Sequence, residues 1–135
     1  MSESLDFDIV HNYSLFEVGI TVRAVLKNGD LTAEADVRID TGSTYCIFER
    51  HIGEGLEIAV ESGIPATIGT ATGTFRAFGH ELSLNVLGIE IISTVYFAES
   101  DSFDRNVLGR VGWLDRVKFG LIEAEAKLFL SRYSG

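Results

Sequence analysis

One aspartate at the end of an apolar stretch is the residue of this chain best suited to carry chemistry. Asp40 follows the alternating residues 35–39 and is followed directly by Thr41, Gly42 and Ser43. A glycine allows a tight turn, so its backbone amide can approach the carboxylate and fix the orientation of that group. A carboxylate held in this way is a candidate general acid or base. Since Asp, Thr, Gly and Ser are also common turn residues, an ordinary turn is the alternative interpretation.

Other residue types offer weaker candidates for a reactive site. The histidines lack the H-E-x-x-H spacing of a helical zinc site, so we expect no metal and no cofactor. These scattered histidines are His11, His51 and His80. Cys46 precedes His51 closely enough to suggest a thiol nucleophile, but a small buried strand residue is the commoner role for such a cysteine. With one cysteine, an internal disulfide is excluded.

Composition limits the classes of partner and compartment. The 135 residues carry 11 basic and 20 acidic side chains, a formal net charge of −9. This field repels phosphate backbones and anionic membranes, so we expect neither nucleic acid nor a membrane as partner. No apolar run reaches the roughly 18 residues of a spanning helix, and the acidic start lacks a signal-peptide layout. We expect a soluble, cytoplasmic protein with an arm of uncertain order at residues 1–14 and one domain at residues 15–135.

The elements that position Asp40 begin with a predicted β-hairpin. Apolar residues alternate on both sides of Asn28-Gly29, which is the favoured pair for a two-residue type I′ turn. The residue pairs that this turn predicts are Leu26 with Leu31, Val22 with Ala35 and Val18 with Ile39. Every apolar residue then meets another on the same face, so register and pattern agree.

The rest of the chain also has the pattern of short strands. The remaining apolar stretches predict strands at residues 64–68, 82–86, 89–97, 107–108, 117–122 and 126–130. The small residues 69–73 predict a glycine-bordered hairpin tip. Residues 50–62 have helical apolar spacing that Gly53 and Gly55 weaken, and residues 110–116 predict one or two helical turns. The sequence therefore predicts an all-β chain with one or two short helices.

Three of these elements together resemble those of a known family. Residues 35–43 resemble the active-site strand of aspartic proteases, which reads apolar-x-apolar-D-T-G-[S/A]. Residues 106–110, with the sequence NVLGR, resemble the retroviral-type pattern of two apolar residues followed by Gly-Arg. Residues 69–73 lie where that family carries its flap, a hairpin that closes over bound peptide. The resemblance to retropepsin-like aspartic proteases covers about residues 15–131.

This resemblance implies a retropepsin-like acid protease β-barrel and a role for each matching position. Asp40 would be the catalytic carboxylate, the Thr41 hydroxyl would bond across a dimer axis, and Gly42 with Ser43 would complete the active-site loop. The flap would consist of the hairpin-tip residues Gly69, Thr70, Ala71, Thr72 and Gly73. A second loop would support the active-site loop, and it contains Val107, Leu108, Gly109 and Arg110.

The implied reaction needs two carboxylates a few Å apart. They share one proton, so that one activates a water while the other protonates the carbonyl oxygen. The sequence has one D-T-G motif, so Asp40 must meet Asp40 of a second chain across a two-fold axis. We expect a homodimeric aspartic endopeptidase that takes a peptide or protein substrate. The alternative is a catalytically inactive β-barrel of this fold that serves dimerisation or peptide binding.

Two positions depart from the family's pattern. Retroviral enzymes often continue D-T-G-A-D, and that acidic residue pairs with the arginine of G-R-[N/D]. Here Thr44 takes the acidic position and Val111 follows Arg110. Arg110 therefore lacks its usual partner, and the carboxylates that could replace it are Asp36, Asp104 and Asp115. The viral dimer also interleaves its chain ends, and the sequence leaves open whether residues 1–14 and 127–133 do so.

Overall fold

The computed structural model describes residues 1–134, which form mostly strands. The strands in this range are β1 (Ile9–Asn12), β2 (Thr21–Asn28), β3 (Leu31–Ile39), β4 (Ile47–Phe48), β5 (Ile64–Thr70), β6 (Gly73–Val86), β7 (Ile89–Ala98), β8 (Val107–Leu108), β9 (Val117–Ile122) and β10 (Lys127–Arg132). The helical parts are α1 (Arg50–Gly55) and 3₁₀ turns at Val60–Ser62, Leu114–Arg116 and Glu123–Glu125. None of the helices in residues 1–134 has the length and apolarity needed to cross a bilayer. The prediction of an all-β chain with one or two short helices is confirmed.

The strands form a barrel and a small second sheet. The larger sheet has the order β2-β3-β8-β4-β7-β6-β5, and an additional pairing of β2 with β6 closes six of its strands into a ring. β5 pairs with the first part of β6 and extends out of this ring. The second sheet has the order β1-β10-β9 and joins the two ends of the chain. Closure leaves the ring without free strand edges and gives the molecule one enclosed core.

The predicted hairpin between β2 and β3 is confirmed, but its register and turn were predicted wrongly. The loop residues are Gly29 and Asp30, and Asn28 pairs with Leu31. Each pair is shifted by two residues from the prediction: Leu26 pairs with Ala33 and Val22 with Val37, while Val18 lies outside the sheet. Gly29 has φ +60° and Asp30 has no positive φ, which fits a type II′ turn with Gly first. A two-residue shift leaves every side chain on its predicted face, so alternation alone could not separate the two registers.

Apolar alternation along the barrel strands fills the core. Leu26 on β2, Leu84 on β6 and Phe97 on β7 are each almost fully buried. Trp113, which follows β8, is 1% exposed and meets Phe119 of β9 edge-on at a centroid distance of 6.4 Å. The core is therefore continuous from the barrel to the sheet at the chain ends.

Residues 50–62, which the sequence left ambiguous, form α1 and the 3₁₀ turn Val60–Ser62. The apolar side chains at helical spacing are all buried, and they are Ile52, Leu56 and Val60. Gly53 lies directly on the ring of Phe97, where a Cβ atom would come within 2.9 Å of the ring carbons. The glycine that weakens the helix propensity thus allows α1 to pack closely on β7.

The N-terminal arm is partly ordered by the C-terminal strand of its own chain. Ile9 to Asn12 form β1, which pairs antiparallel with β10. Before β1, the ring of Phe7 lies 5.8 Å from that of Phe129, and the Asp8 amide donates to the Ser131 hydroxyl oxygen at 2.7 Å. Both edges of β10 are therefore occupied within one chain, by β1 on one side and β9 on the other.

Truncation of Phe97 tests the described core. Phe97 is fully buried and lies 6.3 Å from Phe48 between ring centroids. We expect Phe97→Ala to lower the free energy of unfolding by about 3–5 kcal/mol because it leaves a cavity, as measured by chemical denaturation. Ile92→Ala is the matched control on the same strand, since Ile92 is 56% exposed, and it should cost less than about 1 kcal/mol. Equal losses for both variants would contradict this packing.

Candidate active site

The end of β3 holds Asp40 through backbone contacts on two sides. The Asp40 amide donates to the Leu108 carbonyl oxygen at 2.9 Å, and the Ile39 amide donates to the Ile20 carbonyl oxygen at 2.9 Å. β3 runs parallel to β8, with Ile39 opposite Leu108. The segment before β2 and strand β8 therefore fix the position at which the chain leaves the sheet, which is Asp40.

The loop after β3 orients the Asp40 carboxylate. The Gly42 amide donates to Oδ1 of Asp40 at 2.9 Å, which is the approach that the sequence predicted. A Cβ atom on Gly42 would lie 3.2 Å from that oxygen and would crowd it. The Ser43 amide donates to the Asp40 carbonyl oxygen at 3.1 Å, and the Ser43 hydroxyl donates to the Tyr45 carbonyl oxygen at 2.7 Å. The Asp40 side chain is thus oriented and still exposed in the single chain.

A second loop, which follows β8, lies against the Asp40 loop. The Arg110 amide donates to the Ser43 carbonyl oxygen at 2.9 Å, and the Val111 amide donates to the Thr44 carbonyl oxygen at 2.8 Å. Gly109 is buried where the loops touch, and a Cβ atom there would strike the carbonyl oxygens of Ser43 and Tyr45. Both obstructing atoms belong to the backbone, so the two loops can lie this close only with glycine at position 109.

Cys46 lies beneath these loops and is fully buried. Burial raises the pKa of its thiol to about 12, and the Gly109 amide, 3.4 Å from Sγ, offsets this only in part. His51, by contrast, is exposed and lies 3.4 Å from a Glu49 carboxylate oxygen. A buried protonated thiol and an exposed imidazole do not make a nucleophile and its base, so Cys46 has the structural role that the sequence favoured.

Asp40 borders a groove of about 470 Å³. One side of the groove is the active-site loop, with Asp40, Gly42 and Ser43, and residues 68–72 of the β5–β6 hairpin face it. The hairpin turns at Ala71 and Thr72, with Thr70 paired to Gly73. The predicted hairpin tip therefore exists and lies over the same cavity as the carboxylate.

The remaining wall of the groove comes from a loop between β7 and β8 that carries no recognisable motif. It contributes Ser102, Phe103, Asp104 and Arg105. The ring of Phe103 lies 4.8 Å from that of Phe75 on β6, and Arg76 lies 3.6 Å from the Glu99 carboxylate. These contacts tie the hairpin to the loop, so the loop and the hairpin are held together where both line the groove.

Comparison with known proteins gives the fold. The retropepsin-like aspartic protease from Rickettsia conorii superposes with a TM-score of 0.67 at 20% identity, over 91% of this chain and 97% of that one. This chain has a retropepsin-like fold. EIAV protease, in complex with the inhibitor HBY-793, superposes with a TM-score of 0.53 at 20% identity, over 72% of this chain and 86% of that one. No protein-family model and no curated protein matches the sequence.

Within this retropepsin-like fold, the predicted site residues separate into four places. The groove holds Asp40, Gly42, Ser43, the tip residues 69–72 and Val107. Leu108 and Gly109 are buried under the active-site loop, and Gly73 closes the hairpin beyond the groove lining. Thr41 and Arg110 line a separate depression. The groove residues that the sequence analysis missed are Ile47, Ile68, Phe75, Ser102, Phe103, Asp104 and Arg105.

Arg110 is exposed and takes part in none of the ion pairs formed within residues 1–134. Of the three carboxylates considered as substitutes, Asp36 pairs with Arg23 at 3.6 Å. Asp115 accepts the Gly112 amide at 3.0 Å. Backbone hydrogen bonds to Ser43 and Thr44 thus hold the loop after β8 in place. The Arg110 side chain has no carboxylate partner within residues 1–134.

The histidines do not form a metal site. Nε2 of His80 lies 2.8 Å from the Val60 carbonyl oxygen, and His11 lies on β1 opposite Leu128. Across residues 1–134, no group of three or more His, Cys, Asp or Glu side chains is placed to hold a metal ion.

Substitution of Gly109 tests the close approach of the two loops. We expect Gly109→Ala to lower the free energy of unfolding by about 3 kcal/mol, because its Cβ would meet backbone oxygens that cannot rotate away. Gly69→Ala is the matched control, since a Cβ at Gly69 meets no atom within 4 Å, and it should shift stability by about 0.5 kcal/mol or less. Chemical denaturation measures both, and a Gly109→Ala variant as stable as the control would refute the contact.

The buried thiol gives a second prediction. Because burial raises the pKa of Cys46 to about 12, almost no thiolate is present at neutral pH in the folded chain. We expect Cys46 to resist alkylation by iodoacetamide at pH 8 under native conditions and to react rapidly in denaturant, as read by intact mass. Alkylation of the native protein as fast as that of a free thiol would show that Cys46 is accessible to solvent and would contradict the prediction.

Proposed function

We propose that this chain is a homodimeric aspartic endopeptidase that hydrolyses peptide bonds with an Asp40/Asp40 dyad. The observation that carries the proposal is the Asp40 carboxylate, which the Gly42 amide orients at 2.9 Å at the exposed border of a groove beneath a hairpin. The likeness to a retropepsin-like protease and to a retroviral protease supports this kind of reaction at the level of the fold.

One chain supplies half of the required chemistry. The reaction takes two carboxylates in contact, which share a proton because both cannot be ionised at this separation without a large cost. Asp40 lies on an exposed loop, so a second copy related by a two-fold axis can bring its own Asp40 to the same place. The arrangement is symmetric, and either aspartate can act as the base.

The proposed reaction proceeds through a tetrahedral intermediate. The ionised aspartate takes a proton from a water whose oxygen attacks the peptide carbonyl carbon, while the protonated aspartate gives its proton to the carbonyl oxygen. A diol carbon results, with the amide nitrogen still attached. The aspartate that took the water proton gives it to that nitrogen, and a diol hydroxyl gives its proton to the other aspartate. The carbon–nitrogen bond breaks, a carboxylic acid and an amine leave, and the dyad again holds one proton.

The lining of the groove supports the binding of an extended peptide chain. Apolar side chains line it beside the carboxylate, among them Ile47, Ile68 and Val107. The hairpin tip, Gly69 to Gly73, is the proposed flap that covers the substrate and excludes bulk water. The Thr41 hydroxyl is proposed to bond to the Asp40 loop of the second copy. The loop from Val107 to Arg110 is proposed to support the Asp40 loop of its own chain.

The decisive variant is Asp40→Asn. We expect it to abolish cleavage of a diverse peptide library at about pH 4–6, because an amide can neither accept the proton from water nor share one with its partner. Asp30→Asn, in the exposed β2–β3 turn, is the matched control and should cleave like the wild type. Cleavage by Asp40→Asn at the wild-type rate would rule out the mechanism. Binding of peptides without cleavage by either protein would identify an inactive peptide-binding barrel instead.

Mixing the two proteins tests the requirement for a second copy. If pairing is random, a threefold excess of folded Asp40→Asn should reduce the activity per wild-type chain to roughly a quarter, since most wild-type chains then pair with an inactive copy. Asp30→Asn in the same excess should cause no such loss. Activity that is unchanged by the Asp40→Asn protein would mean that one chain suffices.

A further inference from the structure

A short segment before β2 exposes three large apolar side chains close together in sequence. In residues 15–18, Leu15 is 65% exposed, Phe16 is 101% exposed and Val18 is 70% exposed. Isolated exposed apolar side chains are common on folded proteins, but a contiguous group of large ones usually marks a contact surface. The 15–18 segment therefore has the properties of an uncovered interface.

This segment lies beside the strand that carries Asp40. It leads into Ile20, whose carbonyl oxygen accepts the Ile39 amide at 2.9 Å. Gly19 packs against the side chain of Arg38, where a Cβ atom would lie 3.5 Å from Cδ. The backbone that presents the exposed side chains is thus attached to β3 directly before the active-site loop.

A second uncovered surface borders the same loop. We call it the Arg110 depression, and it is lined by Thr41, Thr44, Arg110, Val111, Leu114 and Asp115. Its volume is about 530 Å³, and Val111 within it is 52% exposed. It contains the residue that follows Asp40, so a second chain that brought its own Asp40 alongside would have to cover this surface.

Each surface also carries a charged side chain that the other can pair with, although Asp115 stands beside Arg110 in the lining of the depression. Glu17 lies between Phe16 and Val18, is exposed, and belongs to none of the ion pairs within residues 1–134. Arg110 is the matching cation without a carboxylate partner in the described chain. In a chain of net charge −9, two copies repel each other at long range, and an ion pair where they touch offsets part of that repulsion.

We propose that the 15–18 segment of one chain occupies the Arg110 depression of a second copy, and that the second copy's segment occupies the first in return. Phe16 packs against Val111 and Leu114, and Glu17 pairs with Arg110 across the interface. The exchange is isologous, which is the symmetry that an Asp40/Asp40 dyad requires. The inference rests on the proposed function, which requires the two Asp40 loops to lie close together. It adds the surface through which the two copies make contact.

Charge reversal provides the test. In Glu17→Arg alone, the introduced guanidinium faces Arg110 in both contacts of the dimer, and in Arg110→Glu alone two carboxylates meet. We expect each single variant to weaken the homodimer by roughly tenfold to hundredfold in sedimentation or mass photometry. An equal mixture of the two variants should recover the dimer, because both contacts of the mixed pair are again between opposite charges. Glu81→Arg and Arg132→Glu, on other exposed surfaces, are the matched controls.

Phe16→Ser tests the apolar part of the same contact. Since Phe16 is fully exposed in the single chain, the substitution should leave the free energy of unfolding of the monomer unchanged while it weakens the dimer about tenfold or more. Ile92→Ser, at an apolar position on β7 that is 56% exposed and lies outside both surfaces, should leave the dimer intact.

The possible results separate this inference from the proposed function. A wild-type dimer that both single reversals leave intact, or a mixture that fails to recover the dimer, would overturn the interface and leave the proposed hydrolysis standing. Loss and recovery of the dimer as expected, with no peptide cleaved by any of the dimers, would support the interface and refute the hydrolysis. A wild-type chain that remains monomeric at every concentration would overturn both.

Discussion

The backbone contact between the Asp40 loop and the loop after β8 is the constraint on which this site depends. The Asp40 amide reaches the Leu108 carbonyl, and the Arg110 amide reaches Ser43 in return, at 2.9 Å each. These bonds require the chains to approach so closely that no side chain fits at Gly109. Backbone atoms in a closed barrel cannot move aside as a flexible side chain can. The position of the Asp40 carboxylate therefore depends on residue 109 having no Cβ atom.

The groove beside this contact is lined by two segments, and one of them is bonded more extensively to the rest of the barrel than the other. The Asp40 loop is bonded to β8 and lies over a packed core in which Phe97 and Trp113 are fully or almost fully buried. The β5–β6 hairpin is held at its base, where Phe75 meets Phe103, while its tip residues 70–74 are exposed. A fixed carboxylate opposite an attached but uncovered hairpin is the geometry on which the proposed peptide binding rests.

Several features of the single chain have one physical explanation if two copies combine. Asp40 is one carboxylate where the proposed chemistry uses two, Phe16 is an apolar side chain without a neighbour, and Arg110 is a cation without a carboxylate. Each is unfavourable or without effect in isolation, and each is compensated by the same two-fold arrangement. Since β10 already pairs with β1 and β9 of its own chain, its edges are not available to interleave with another copy as long as β1 keeps this place.

The sequence by itself determined the features that depend on local pattern. Alternation of apolar residues predicted the strands. The glycines predicted where the chain turns and the close approach to Asp40, although not the type of the β2–β3 turn. The order of D-T-G, hairpin tip and V-L-G-R indicated the fold. Tertiary structure decided what local pattern leaves degenerate. The β2–β3 register differs by two residues from the predicted one, and alternation could not distinguish the two registers because both bury the same faces. Phe103 lines the groove because closure of the barrel brings together residues far apart in the chain, and no local pattern in the sequence encodes which of them will meet. For Arg110, Thr44 already indicated in the sequence that the usual partner is missing, and the tertiary structure decided that none of Asp36, Asp104 and Asp115 pairs with it instead.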